Sequence, residues 1–260
     1  MNAQTTFQRI CAYSGIVCVL LFFGGFVAAD FLPPLSPSMS AAQIAAHYQA
    51  HTAGIRLGAG LIFLSSGFYV WFTAVISGQA RRIPGVHPTV INATLAGGAF
   101  ACLTFLVPAL LFVVTAFRPD RSPDATLLLN DMSWIILVMP WIPFMAQYFA
   151  FAFAILSDPR PQPLFPRWLA YFNIWAELMF TPAIILPFFK TGPFAWNGLF
   201  VFWIPAVVFG AAFIVNAIWL LKAINSEAEE THGAGATHGH ELLTRETSST
   251  QGSGSTSGLV

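Results

Sequence analysis

Polar residues thin out to isolated positions over long stretches of this chain and return in short clusters between them. Six runs carry almost no charge: 10–29, 57–77, 89–117, 134–157, 168–189 and 197–221. Crossing about 30 Å of hydrocarbon takes about 20 residues of α-helix, so each run is long enough to span. Backbone amides in lipid have no water to bond and must be satisfied within their own segment, which makes these runs helices. The prolines at 108, 140, 143, 182, 187 and 205 then mark kinks within helices rather than strand edges. The expected fold is all-α, a polytopic transmembrane bundle of six spans over residues 1–224, with a short outer amphipathic helix extending the second span.

That short helix has its own start signal. Ser40 and Gln43 form an S-x-x-Q capping box after the Pro-rich FLPPLSPS. Ala41, Ile44, Ala45 and Tyr48 make an apolar face, and Gln43, His47 and His51 fall on the other. If the helix runs on into the second span, Arg56 lies about 140° around from His51 and cannot share its face. It marks the membrane boundary instead, with its head reaching water. A His-x-x-x-His pair offers metal-ligand spacing, but two ligands are fewer than a zinc site needs, and Asp30 or Asp131 supplies a third only by tertiary approach. No metal and no other cofactor is expected.

Composition removes whole classes of function. The chain of 260 residues is 56% hydrophobic and only 8% charged, where a soluble domain has about a quarter of its residues charged. Its 11 basic and 11 acidic residues cancel, so there is no electrostatic footprint for nucleic acid. Cys11, Cys18 and Cys102 all lie within apolar runs and read as small buried hydrophobes rather than disulfide partners or metal ligands.

Basic residues in the short loops set orientation. With the N-terminus inside, Arg9, Arg81, Arg82, Arg160, Arg167 and Lys222 are cytoplasmic, against Arg56, Arg118, Arg121 and Lys190 outside. Both termini are therefore expected in the cytoplasm of a bacterium, with the bundle in its cytoplasmic membrane. Arg9, an apolar run and Val27-Ala28-Ala29 also match a cleavable signal, but the run exceeds the usual 7 to 15 residues of a signal core, about which a retained span is favoured. Residues 225–260 lack the apolar content to form a core and are expected to be a disordered cytoplasmic tail, its His232, His238 and His240 solvated.

Shifting the chain by 62 residues sets WIILVMPWIPFMAQYFAF over WNGLFVFWIPAVVFGAAF. Trp134 falls on Trp196, Trp141-Ile142-Pro143 on Trp203-Ile204-Pro205, and Ala150-Phe151 on Ala212-Phe213. Trp134 and Trp196 are expected at the outer interface, where an amphipathic indole anchors. A duplicated helix hairpin, as in many transporters, and chance recurrence of Trp and Pro both account for the match.

The candidate chemistry lies within the membrane. Glu177 is the one acid near the middle of a span, and Asn173 and Thr181 stand four residues to either side on the same helical face. A carboxylate at the bilayer centre costs about 3 kcal/mol on insertion scales, so Glu177 is expected to face the bundle, protonated or well hydrogen-bonded. Ser65, Ser66, Tyr69 and Thr73 of the second span, with Gln147 and Tyr148 of the fourth, are its expected partners. Together these groups read as a ligand-binding or proton-titrating site, with interhelical hydrogen bonding as the structural alternative. Outside, Asp30, His47, His51, Arg56, Asp131 and Lys190 are candidates to line a vestibule, unless they are charged only because loop ends are wet.

The strings FPRWLAYFN and FFKTGPFAWNG resemble those of an uncharacterised family of six-span bacterial membrane proteins. The likeness covers most of the spans and implies the topology; it brings no activity or ligand. No Walker, GxSxG, HExxH or CxxCH motif occurs, and no catalytic residue is assigned. The expected function is binding or moving a small apolar or lipid-like molecule, with membrane lipids as partners. The alternatives are an accessory or scaffold subunit docked to another membrane protein, and a membrane enzyme acting on a lipid or isoprenoid.

Overall fold

All of the described secondary structure is helical, with no strand among the described residues. The structure, a computed structural model, describes residues 3–252, with side chains described through Glu230. The three tail histidines and most of the expected tail lie outside the residues whose side chains are described.

Two spans are unbroken: α1 (Ala3–Ala28) and α3 (Thr52–Ala80). The other four are composites. They are α4 (Pro88–Ala101) with α5 (Leu103–Phe117), α6 (Pro123–Val138) with α7 (Ile142–Leu156), α8 (Arg167–Leu178) with a 3-10 helix (Thr181–Phe188), and a π-helical turn (Leu199–Trp203) leading into α9 (Ile204–Gly252). All six segments are long and apolar enough to cross a membrane, as expected of a multi-pass integral membrane protein. The fourth begins at Pro123, well before the expected residue 134, because TLLLNDMSW continues the helix outward despite its polar residues.

Proline explains most of the breaks. Pro140 has no N–H to continue α6, and the Trp141 amide turns back to the Met139 carbonyl at 2.9 Å. Pro182 leaves the Leu178 carbonyl without its helical donor; the Thr181 hydroxyl donates to it at 2.7 Å, and the chain tightens into the 3-10 helix. Ahead of Pro205 the ladder widens, with the Trp203 amide bonding the Gly198 carbonyl five residues back at 3.3 Å. The two W-I-P strings of the internal match do the same local work, since Ile142 starts α7 and Ile204 starts α9. Their upstream halves differ, one a regular α-helix and the other a turn and π-helical segment. Trp134 and Trp196 are buried within the protein. Each indole N–H has found an acceptor inside, Asn130 Oδ1 at 3.2 Å and the Leu35 carbonyl at 2.6 Å.

Glycine sets the closest helix pair. A Cβ on Gly25 would stand 2.6 Å from the Gly58 carbonyl, and one on Gly58 would strike the Gly25 carbonyl in turn, so α1 and α3 meet backbone to backbone. Gly97 and Gly98 let α4 approach Pro143 and Gln147 of α7 in the same way.

The start of α1 and the end of the sixth span share one face, since Arg9 Nη2 donates to Asn225 Oδ1 at 2.8 Å. The last helix does not stop near Leu221, where the apolar run ends. It continues through SEAEE, good helix formers that Arg82 holds by donating to the Ala223 carbonyl at 2.8 Å and to Glu230 Oε2 at 3.1 Å. On the same face, Arg160 donates through Nε to Asp158 Oδ1 at 2.8 Å and through Nη2 to Oδ2 at 2.6 Å. These bonds outweigh burial and, with the Leu164 and Arg160 amides, pull the Asp158 carboxyl down from 3.8 to about 2. A depressed carboxyl stabilises the fold above its unfolded pKa and loses that contribution as pH falls toward the folded value. Acid melts of the detergent-purified protein should therefore lose stability between about pH 4 and 2, by up to about 2 kcal/mol from this group, and Asp158→Asn should flatten that part of the profile.

Candidate functional site

The four irregular junctions converge on one cavity of about 90 Å³. Thr104 and Phe105 line it from the start of α5, Val138, Pro140 and Trp141 from the α6–α7 break, Glu177 and Phe180 from the α8 break, and Phe202 and Pro205 from the π-helical junction. Its wall is a continuous aromatic net. Phe105 stands 5.2 Å from Phe22 and 5.7 Å from Phe209, and Phe209 stands 4.5 Å from Phe213, ring centre to ring centre. Among the lining residues only Glu177 is ionisable in the ordinary range, and no Lys, Arg or His accompanies it.

Glu177 faces inward, as expected, and is buried. Its Oε2 has no hydrogen-bond partner, and neither has the hydroxyl of Tyr148, the other expected site residue on the cavity wall. Such orphans are rare, because a buried polar group without a partner costs about 1–3 kcal/mol.

The remaining expected members separate into private pairs. Tyr69 donates to Gln147 Oε1, and Gln147 Nε2 donates to Thr73 Oγ1 at 3.1 Å, a closed chain between α3 and α7. Asn173 is paired with Asn216 of α9 by reciprocal amide bonds of 3.1 and 2.7 Å. Ser66 turns its hydroxyl to its own Phe63 carbonyl at 2.6 Å. Thr181 leaves the stripe altogether, since α8 ends at Leu178 and the i, i+4 relation to Glu177 ends with it. Asn216 went unrecognised in the sequence although it is an amide in the middle of an apolar run, which is the signal that singles it out.

On the opposite face from Arg9, α2 (Ala41–Ala50) starts with both bonds of the expected capping box, Gln43 N to Ser40 Oγ at 3.3 Å and Ser40 N to Gln43 Oε1 at 2.8 Å. Ile44, Ala45 and Tyr48 are buried beneath it. His51 leaves helical geometry at φ −112°, so α2 is a separate helix joined to α3 rather than one rod with it. The Tyr48 hydroxyl bonds Asn130 Oδ1 at 3.2 Å, and burial, then the charge of Asp131, raises its pKa.

The expected vestibule splits as well. Arg56 donates to the Ala116 and Phe117 carbonyls, each at 3.1 Å, and so caps the C-terminus of α5. Asp131 lies beside Asn130, and the exposed Lys190 comes close enough for its charge to act on Asp131, so these two form a second group. Asp30, His47 and His51 do come together. His51 Nε2 is 3.4 Å from Asp30 Oδ2, and the two imidazoles stack with centres 4.6 Å apart. Burial, then the neighbouring His51, lowers the His47 pKa against the opposing pull of Asp30 and the Ala29 backbone. Of the cysteines, Cys11 and Cys18 are buried as expected, whereas Cys102 is half-buried at the α4–α5 junction and donates to the Ala99 carbonyl at 2.9 Å. No family model, no curated protein and no solved structure matches this chain, so its candidate sites rest on their own geometry.

Proposed function

We propose that the protein binds or moves a small apolar or lipid-like molecule within a bacterial cytoplasmic membrane, both termini inside, at the cavity between its broken helices. One observation supports this reading above the rest: Glu177 Oε2 and the Tyr148 hydroxyl are buried without partners on a wall that is otherwise aromatic and aliphatic apart from Thr104, whose hydroxyl is bonded to the Ala101 carbonyl at 2.7 Å. Apolar walls with a few convergent polar groups suit a ligand of that same composition, a hydrocarbon body with one hydroxyl, carbonyl or amine. Broken helices favour the same place, because irregular backbone at membrane depth is tolerated where it lines a cavity and is how many transporters build their sites. The volume takes one end of such a molecule, the rest lying between helices.

Mass spectrometry of small molecules extracted from the detergent-purified protein tests this. An apolar compound should co-purify with the wild type and fall at least tenfold in Glu177→Leu and in the cavity-filling Ala206→Phe, with fold retention checked by melting. An identical set of extracted molecules at identical stoichiometry in all three proteins would rule the reading out.

A further inference from the structure

We propose that Asp30, His47 and His51 form a binding site for a divalent transition-metal ion of the zinc class, on the face of the molecule away from Arg9 and independent of the Glu177 cavity. One ligand atom from each residue lies within 4.8 Å of the other two. Two ligands of one tetrahedral zinc, bonded at about 2.1 Å, stand about 3.4 Å apart. His51 Nε2 and Asp30 Oδ2 are already at 3.4 Å, so His47 alone has to swing to close the set.

Three further observations point to a ligand rather than to a simple ion pair. His47 Nε2 is buried and has no hydrogen-bond partner, although the ion pair beside it is complete without it. Asp30 sits at φ 55°, in the left-handed region that a residue with a Cβ seldom adopts, and this places its carboxylate under the two rings at the end of α1. Phe31 stacks on His47 with centres 5.9 Å apart and walls the inner side with an apolar surface. Arg56, five residues beyond His51, is bonded to the end of α5 and not to the Asp30 carboxylate.

Two imidazoles and one carboxylate select zinc, cobalt or nickel over magnesium and calcium, which favour all-oxygen shells. The side chains of His51 and Asp30 are 43% and 59% exposed, leaving the fourth position open to water.

Cobalt(II) titration of the full-length protein, purified without a polyhistidine tag and followed by visible absorption with zinc competition, tests the site. The tail variant His232→Ala/His238→Ala/His240→Ala should keep one cobalt per chain with a four- or five-coordinate spectrum. His51→Ala and Asp30→Asn, both at accessible positions, should each weaken binding at least tenfold without changing the metal-free melting temperature. Binding that vanishes in the tail variant, that survives His51→Ala and Asp30→Asn unchanged, or that is undetectable in the wild type would overturn the proposal.

Discussion

Gly58→Ala is expected to lower the melting temperature of the purified protein by at least about 5 °C, and Gly60→Ala, two residues along the same helix, to leave it level or raise it. The chemistry is identical at both positions, and alanine is the better helix former by about 1 kcal/mol. What differs is the neighbour. A methyl group on Gly58 strikes the Gly25 carbonyl and comes within 2.9 Å of Ala29 Cβ, whereas one on Gly60 meets nothing within 4 Å. Overpacking costs about 1–3 kcal/mol where side chains can turn aside. The Gly25 carbonyl, in the last turn of α1 and holding the Ala29 amide at 3.0 Å, cannot turn aside as a side chain can, so the α1–α3 contact must open there. Equal melting temperatures for the two variants, read by intrinsic fluorescence in detergent, would show that this pair is not the tight seam described.

The second large effect is expected at the paired amides. Asn216→Leu should cost up to about 3 kcal/mol, and Asn173→Leu/Asn216→Leu should recover most of it. In the single variant Asn173 stays buried with neither Asn216 Oδ1 to receive its 3.1 Å bond nor Nδ2 to supply the 2.7 Å one. In the double variant no amide remains to be satisfied, and a leucine pair suits its apolar neighbours. Removing both partners of a buried hydrogen bond costs less than removing one, so the double variant is less destabilised than the single one. Additive losses in a double-mutant cycle would instead point to packing defects at two independent positions.

Much of the architecture was legible because a span is a local property. The number of spans, their helical state, the start of α2 at Ser40 and the inward turn of Glu177 follow from run length, capping chemistry and the cost of a charge in hydrocarbon. Residue spacing was less reliable near proline. Thr181 stands four residues from Glu177, but the spacing means a shared face only on an unbroken helix, and Pro182 removes the donor that would keep it so. The tryptophans were legible only in part: that each indole is buried and bonds Asn130 or the Leu35 carbonyl depends on which residues surround it, which one dimension does not show. The apolar run also set the last helix too short, since its extension past Leu221 is held by Arg82, 141 residues away from Ala223.

By itself the sequence determined that this chain is a bundle of six apolar helices, because hydrophobic length and backbone hydrogen bonding are decided within each segment. Which polar groups face one another was decided only by the tertiary structure. It paired Asn173 with Asn216 and Tyr69 with Gln147, brought Asp30 under His47 and His51, and left Glu177 and Tyr148 without partners at the junction of four broken spans. The physical reason is that a buried polar side chain is satisfied across helices, by neighbours whose distance along the chain says nothing about their distance in space.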